Sequence, residues 1–220
     1  MRPRMLMVAS LATIAVATSL LTGCAGDSWA EPHASPTPVG SLAAGFEPSS
    51  PPSPEATIAP EAGSWDDVHP SAGYRVVLVM AGDDPPTKTL VKAIRSWAKE
   101  ESVDLRTVAA DKDLIDGIVS AINLKPDLII SAGNDLIDPL TTVTANHLDQ
   151  QFLVVGAEVA EPTDNVTAVD WTGASFRGEG LGASSTYDPA TFTADRTAAA
   201  VRAGVAAVLN DLTGIVLWLD

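Results

Sequence analysis

The sequence predicts an α/β fold, a three-layer arrangement in which a parallel β-sheet carries helices on both faces. Short runs of Val, Ile and Leu, typical of strands buried on both faces, recur through residues 74–220. Segments with apolar residues at helical spacing lie between these runs. Strands that alternate with helices form βαβ units, and their right-handed crossovers place helices on both faces of the sheet.

The predicted strands are short apolar segments that end at glycine, proline or acidic residues. In chain order they are residues 74–82, 103–109, 126–133, 151–157, 165–171 and 213–220. The first of them, YRVVLVMAG, is apolar almost without interruption and is followed by two aspartates. A continuous apolar run of this length predicts a strand in the interior of the sheet.

Four helices are predicted between these strands. The first begins at Pro85, because Asp84 can cap it and proline is favoured at the first helical position. The second lies in DKDLIDGIVSAIN, where the aliphatic residues share one stripe. The third, NDLIDPLTTVTANHL, contains Pro139, which a helix tolerates only in its first turn. The fourth is the alanine-rich segment 194–212.

Residues 1–23 have the features of a lipoprotein signal peptide. Two arginines precede an apolar run, Met5 to Leu21, that is short for a membrane span of about 20 residues. The run ends in Leu-Thr-Gly-Cys, which resembles a bacterial lipobox and implies that Cys24, the only cysteine, carries the lipid. A retained anchor helix and an ordinary signal peptide are the alternatives. Lipidation would hold the protein on the extracytoplasmic face of the cell membrane.

Residues 24–73 are predicted to be a disordered, lipid-anchored tether. The part after Cys24 contains nine prolines, many Ala and Ser residues, and no lysine or arginine. Such a composition offers too little apolar surface to offset the entropy lost on ordering the chain. The folded domain is therefore expected to span residues 74–220.

Composition and motifs exclude several classes of function. The formal net charge of −15 predicts repulsion from nucleic acid, so no nucleic-acid partner is expected. The sequence lacks the glycine-rich phosphate loops and the GxSxG nucleophile elbow, and no pair of His or Cys residues has the spacing of a metal site. We therefore predict no catalytic residues, cofactor or metal, and a protein that is not an enzyme.

Polar residues follow the carboxyl ends of several predicted strands, which meet at one edge of a parallel sheet. The candidate ligand-binding residues are Asp83, Asp84, Gly133, Asn134, Asp135 and Glu158. Ligands of open α/β sheets bind at this edge. Carboxylates at helix N-termini already satisfy the free N–H groups there, which disfavours an anionic ligand. A neutral, hydroxyl-rich or cationic ligand is predicted, although each acid could serve as a helix cap alone.

Residues 74–220, and most clearly residues 126–180, resemble the basic membrane protein family, the Med- or PnrA-like lipoproteins that bind nucleosides for ABC importers. The similar parts are a strand ending in Gly133, a strand led by Phe152, an Asn-Val strand from Asn165, an acidic turn at Glu179 and a helix containing Gly204. The resemblance implies a type I periplasmic-binding-protein fold, a nucleoside or similar neutral hydroxylated ligand, and an ABC permease as partner.

The chain departs from this family pattern in four places, one of which is Gly156-Ala157 where the family tends to have an Asp at the end of the fourth strand. Pro85-Pro86-Thr87 replaces an aromatic-Asn motif after the first strand, and GLGASSTYDPATFT is inserted before the last helix. Residues 213–220 resemble the first strand of a second lobe, so that 74–220 would be one lobe, either as a fragment of a two-lobed protein or as a module that acts with a single lobe. The alternative function is a non-enzymatic envelope module that binds a protein partner through an exposed edge strand at 213–220.

Overall fold

A computed structural model describes Trp29, residues 31–174 and residues 176–220. The chain divides into a short unit that ends at Glu31 and a main unit, Pro32–Asp220. The predicted signal peptide and the lipid-attachment residue Cys24 lie outside the described residues, so both stay predictions. The fold described below is that of the main unit.

The main unit is built on a seven-stranded sheet in which every neighbouring pair of strands is parallel. The strands are β1 Pro38–Val39, β2 Thr57–Ile58, β3 His69–Pro70, β4 Arg75–Met80, β5 Asp104–Ala109, β6 Leu128–Ala132, β7 Phe152–Val155, β8 Val166–Asp170 and β9 Val216–Trp218. Their order across the sheet is β2-β9-β8-β7-β6-β4-β5, while β1 and β3 form a separate antiparallel pair. The parallel sheet predicted from the sequence is confirmed.

Four helices flank the sheet, as predicted. They are α1 Pro85–Glu100, α2 Leu114–Asn123, α3 Ile137–Thr144 and α4 Ala194–Leu209. Helix α1 packs against α4, and α2 packs against α3. The Asp84 side chain caps α1 by accepting a hydrogen bond from the Thr87 N–H at 3.0 Å. Pro139 falls in the first turn of α3, where its missing N–H costs nothing.

The central strands are buried along their whole length, which explains their uninterrupted apolar sequences. All residues of β6, β7 and β8 are buried. Helix α4 lies close to this surface because Gly204 has no side chain: a Cβ there would sit 2.5 Å from Leu153 Cδ1 and 2.8 Å from Val169 Cγ2. The small residues of α4 therefore set its distance from the sheet.

The prediction that residues 24–73 are a disordered tether is wrong for the part between β1 and β3. Phe46, Ile58 and Trp65 are buried in the main hydrophobic core. The rings of Phe46 and Trp65 pack edge to face with centroids 6.3 Å apart. Average composition hides these residues, because a few large apolar side chains are enough to hold a proline-rich segment on a core that already exists. We call residues 32–73 the N-terminal strap.

The strap also corrects the prediction of an exposed edge strand at residues 213–220. Strand β9 lies between β8 and β2, and the Val216 N–H donates to the Ala56 carbonyl at 3.0 Å. Leu217 and Leu219 are buried. The edges of the sheet are β2 and β5, so β9 cannot pair with a strand of another chain.

Two histidines fasten the strap to the rest of the fold. His33 Nε2 lies 2.8 Å from a carboxylate oxygen of Asp127, and His69 Nδ1 lies 2.9 Å from one of Glu101. Glu101 also accepts a hydrogen bond from Arg202 at 3.2 Å. These contacts join the strap to the start of β6 and to the end of α1.

Candidate functional site

The strand order places a crevice at the carboxyl ends of β4 and β6. From β4 the chain crosses through α1 to β5 on one side, and from β6 it crosses through α3 to β7 on the other side. The segments that leave β4 and β6 therefore diverge from adjacent strands. Such a switch point is where open α/β sheets bind ligands, because the diverging segments leave a gap between them.

A cavity of about 120 Å³ occupies this crevice. Among the described residues, its walls are formed by Asp84, Pro86, Thr87, Leu90, Gly133, Asn134, Asp135, Tyr187 and Phe192. Four of the six predicted ligand-binding residues, Asp84, Gly133, Asn134 and Asp135, thus meet at one cavity. They come from the segments after β4 and after β6.

Gly133 allows these two segments to approach each other closely. Its φ is +118°, and a Cβ at this position would lie 2.2 Å from the carbonyl oxygen of Ala81. Any other residue would push the end of β6 away from the end of β4, and its backbone would be strained in addition. The chain then enters a short 3-10 turn, Asn134–Leu136, which places the polar residues that follow β6 at the crevice.

Two of the carboxylates that line the cavity lie near Gly82. A Cβ built at Gly82 would lie 3.3 Å from Asp84 Oδ2 and 3.8 Å from Asp135 Oδ2. Asp84 Oδ2 also accepts a hydrogen bond from the Thr87 hydroxyl at 2.6 Å. No lysine or arginine is among the described residues that line the cavity. The crevice can accept hydrogen bonds from neutral or cationic groups, and it repels anions.

The other two predicted site residues lie elsewhere. The Asp83 side chain is 99% exposed and points outward, with Lys88 Nζ 3.8 Å away. Glu158 is buried, 3.2 Å from Arg177 Nε, and it accepts a hydrogen bond from the Ser184 hydroxyl at 2.9 Å. Glu158 therefore holds the loop that follows β8, and neither residue lines the cavity.

Two aromatic residues at the cavity were missed by the sequence analysis. Tyr187 and Phe192 belong to the inserted segment GLGASSTYDPATFT, and their ring centroids are 5.9 Å apart. Phe192 in turn packs edge to face on the buried Trp171, with centroids 5.0 Å apart. The signal available in the sequence was a pair of aromatic residues within a stretch of small polar ones, between a strand and the last helix.

The surroundings of Tyr187 raise the pKa of its phenol. Partial burial raises its pKa above the ordinary value, and the negative charge of Asp84 raises it further. Tyr187 is therefore a neutral phenol at physiological pH, and its hydroxyl can donate a hydrogen bond. Tyr187 is 45% exposed and lines the cavity.

Several larger hollows lie on the surface of the described residues, and two of them are the more spacious. One, of about 540 Å³, extends from Gly82 and Asp83 at the end of β4 along α1 beside its basic residues Lys88, Lys92, Arg95 and Lys99, so the predicted site residue Asp83 lines this hollow. The other, of about 460 Å³, lies between Ala59–Trp65 and the start of α4. We place the site in the smaller cavity because the ends of two adjacent strands and several polar groups converge there, which defines a ligand site better than volume does.

The described residues contain no cluster of His, Cys, Asp or Glu that could hold a metal ion. Within the same part of the chain, no helix has the length and apolar character needed to cross a membrane.

No protein-family model matches the chain, and the curated proteins contain no significant match to it. Among solved structures, the chain is similar to a solute-binding protein of an ABC transporter system from Aeropyrum pernix K1, with 21% identity over 45% of this chain and 29% of that one and a TM-score of 0.38.

Two further solved structures are from Conexibacter woesei DSM 14684. A solute-binding protein of an ABC transporter system is 17% identical over 44% of this chain and 35% of that one, with a TM-score of 0.37. A periplasmic ribose ABC transporter is 15% identical over 68% of this chain and 54% of that one, with a TM-score of 0.32. The chain spans less than two thirds of the length of all three proteins.

Proposed function

We propose that this protein binds a neutral, hydroxylated small molecule at the crevice between the ends of β4 and β6, and that it does so as an extracytoplasmic solute-binding protein of an ABC importer. The observation that carries the proposal is the convergence of Asp84, Asn134 and Asp135 around two glycine-lined strand ends. Close backbone approach and a few fixed polar groups are what small-molecule sites require.

The polar groups of the crevice favour ligands rich in hydroxyl groups. Carboxylate oxygens accept hydrogen bonds only, whereas the Asn134 amide and the Tyr187 phenol can also donate. A sugar or the ribose of a nucleoside offers donors and acceptors in matching proportion. The resemblance of residues 126–180 to the basic membrane protein family favours a nucleoside among these ligands.

The proposed location follows from the N-terminal sequence. The lipobox-like Leu21-Thr22-Gly23-Cys24 supports lipid attachment at Cys24, which would anchor the protein at the outer face of the cell membrane. A binding protein anchored there is positioned to deliver its ligand to a permease in the same membrane.

We infer binding without chemical conversion of the ligand. The one hydroxyl-bearing aliphatic side chain among the described cavity residues is Thr87, and its hydroxyl is committed to the Asp84 carboxylate. None of these residues is a histidine, cysteine or lysine. The groups that commonly act as a nucleophile with an adjacent base are thus lacking from the described wall of the cavity.

A thermal-unfolding screen of the full chain in detergent, against nucleosides and neutral sugars, tests the proposal. A ligand at about 100 times its Kd adds about 2.7 kcal/mol of stability, which raises the Tm by several degrees. Asp135→Asn should reduce the shift, whereas Asp83→Asn, which removes the same charge outside the cavity, should leave it unchanged. The absence of any shift or binding heat with every ligand would refute the proposed function.

A further inference from the structure

Helix α1 carries a row of basic side chains on its outward face. Their spacing of four, three and four residues places them on one side of the helix, and all four are exposed and line the hollow of about 540 Å³: Lys88, Lys92, Arg95 and Lys99. We call these residues the basic row. The whole chain has only 13 lysines and arginines and a formal net charge of −15. Positive charge is thus concentrated on one face of an acidic protein.

Few carboxylates neutralise the basic row. Asp83 is the only acid among the described residues that line the hollow, and its carboxylate lies 3.8 Å from Lys88 Nζ at the start of the row. Within α1 itself the one acidic residue is Glu100, and it is paired with Arg202 of α4. The rest of the row therefore presents its charge to solvent, which predicts an anionic partner.

The hollow adds apolar surface to this face. Met80 at the end of β4 and Val91 of α1 line it together with the basic side chains, whose stems are themselves aliphatic. A recess of about 540 Å³ with apolar walls and a positive border suits a molecule that has an anionic head and an apolar body. Anionic phospholipids have this chemistry, whereas an inorganic anion has no apolar part to fill the recess.

The folded strap leaves only a short length of chain between the lipid-attachment residue and the domain. Cys24 precedes His33 by nine residues, and His33 is fastened to Asp127. Nine residues span at most about 30 Å even when they are fully extended. A lipid on Cys24 would therefore hold the domain near the head groups, whereas a disordered tether that reached residue 73 would allow more than about 100 Å.

The strap makes this contact at the edge of the sheet where the basic row ends. Asp127, the partner of His33, accepts a hydrogen bond from the Arg75 N–H at the start of β4 at 2.9 Å, and Arg75 pairs with Asp104 at the start of β5. Lys99 lies in the last turn of α1, just before β5. One end of the row and the contact of His33 thus share the amino edge of the sheet, whereas the crevice lies at the carboxyl edge.

We propose that the basic row of α1 lies against the anionic lipid surface of the membrane, with the hollow beside it receiving part of a phospholipid. The inference rests on the lipid attachment in the proposed function, and it adds an orientation in which α1 faces the membrane. The net charge of −15 does not prevent this contact. Salt screens charges separated by more than about 8 Å, so the residues nearest to the lipid decide the sign of the interaction.

Amine labelling of the lipidated protein in vesicles, read by mass spectrometry, tests the inference. The chain contains five lysines, and all of them are exposed. Three belong to the row, and Lys112 and Lys125 are the internal controls. Phosphatidylcholine vesicles that contain phosphatidylglycerol should lower the labelling of the row about three-fold or more relative to the controls, whereas vesicles of phosphatidylcholine alone should not. Concentrated salt should restore the labelling.

Two double variants locate the contact. Lys92→Gln combined with Arg95→Gln removes the charge at the centre of the row, and it should abolish the protection of the two lysines that remain there. Lys112→Gln combined with Lys125→Gln removes the same charge elsewhere on the surface, and it should leave the protection of the row unchanged.

The outcomes separate the orientation from the proposed function. Equal labelling of the row on both kinds of vesicle would overturn the inference while the solute-binding function stands, since no solute takes part in the measurement. Protection of the row in native membranes but not on anionic vesicles would also overturn it, because the partner would then be an acidic protein. If the protein stays on neither kind of vesicle, the lipid attachment fails and the inference fails with it. Charge-dependent protection in a protein that binds no solute would support the orientation and refute the ligand.

Discussion

Asp84 combines a structural and an electrostatic role in a single side chain. It caps α1 through the Thr87 N–H and lines the cavity beneath Tyr187. The sequence indicated both possibilities but could not choose between them. The structure shows that they coexist, since the same carboxylate that satisfies the helix end also raises the pKa of a neighbouring phenol.

Asp84→Asn should therefore lower the pKa of Tyr187. Removing the negative charge favours the phenolate, while the remaining burial, which is the larger cause, keeps the pKa above its ordinary value. An absorbance titration of tyrosinate can measure this, because the chain has only one other tyrosine, Tyr74, whose deeper burial raises its pKa further. Asp83→Asn is the control for a simple loss of charge. Identical titration curves for the wild type and Asp84→Asn would contradict the arrangement.

The sequence predicts where the candidate residues lie in the fold but not where each side chain points. Residues directly after β4 and β6 could be placed at one crevice because parallel strands end on one edge. The direction of an individual side chain could not be predicted, so Asp83 was included although it points to solvent. Tyr187 was missed because a long insert has no periodicity from which its path over the sheet can be read.

The N-terminal strap is the part of the structure that differs most from the sequence prediction. It contributes strand β2 to the sheet and the rings of Phe46 and Trp65 to the core. Sequence composition predicted disorder for this segment, because disorder is inferred from averages over many residues. The helices and strands after residue 74 were predictable because their apolar periodicity repeats over whole elements.

Phe46→Ala tests whether the strap is part of the folded protein. The buried ring should cost about 3–5 kcal/mol of unfolding free energy when it is truncated. Urea unfolding followed by circular dichroism measures the loss. Leu148→Ala, at a side chain that is 61% exposed, should have little effect and serves as the control. A disordered tether would instead give Phe46→Ala the stability of the wild type.

Gly204→Ala tests the close packing of α4 on the sheet. The added methyl group meets Leu153 and Val169, which are fully buried, so overpacking should cost about 1–3 kcal/mol. The better helix propensity of alanine offsets about 1 kcal/mol of this cost at most, so the Gly204→Ala protein should be less stable than the wild type. Gly182→Ala, with open space around its Cβ, is the matched control in denaturant unfolding. A Gly204→Ala protein as stable as the wild type would show that α4 sits farther from the sheet.

Tyr74 makes the unfolding free energy of the whole molecule depend on pH in the alkaline range. Burial and the nearby charge of Asp127 raise the pKa of its phenol, so the unfolded chain loses this proton at a lower pH than the folded protein does. The contribution of Tyr74 to the unfolding free energy should be constant below the unfolded pKa of about 10, and it should fall as the pH rises above that value. Tyr74→Phe should reduce this slope in urea unfolding, and an unchanged slope would contradict the assignment.

The overall architecture was predictable from the alternation of strand and helix signals, whereas the order of the strands was not. The sequence also did not reveal that β9 would be covered by β2, because a two-residue strand in a proline-rich segment carries almost no signal of its own. This pairing matters for function, since it removes the exposed strand on which a partner-binding role depended and leaves the crevice as the main candidate site.

Backbone amide NMR can map where adenosine binds, and it is the most direct test of a solute site at the ends of β4 and β6. We expect the resonances of residues 133–135 and 187–188 to shift together and saturate, while those of the distant edge strand β5 do not move. Shifts confined to the hollow beside Trp65, or no saturable shifts anywhere, would contradict it.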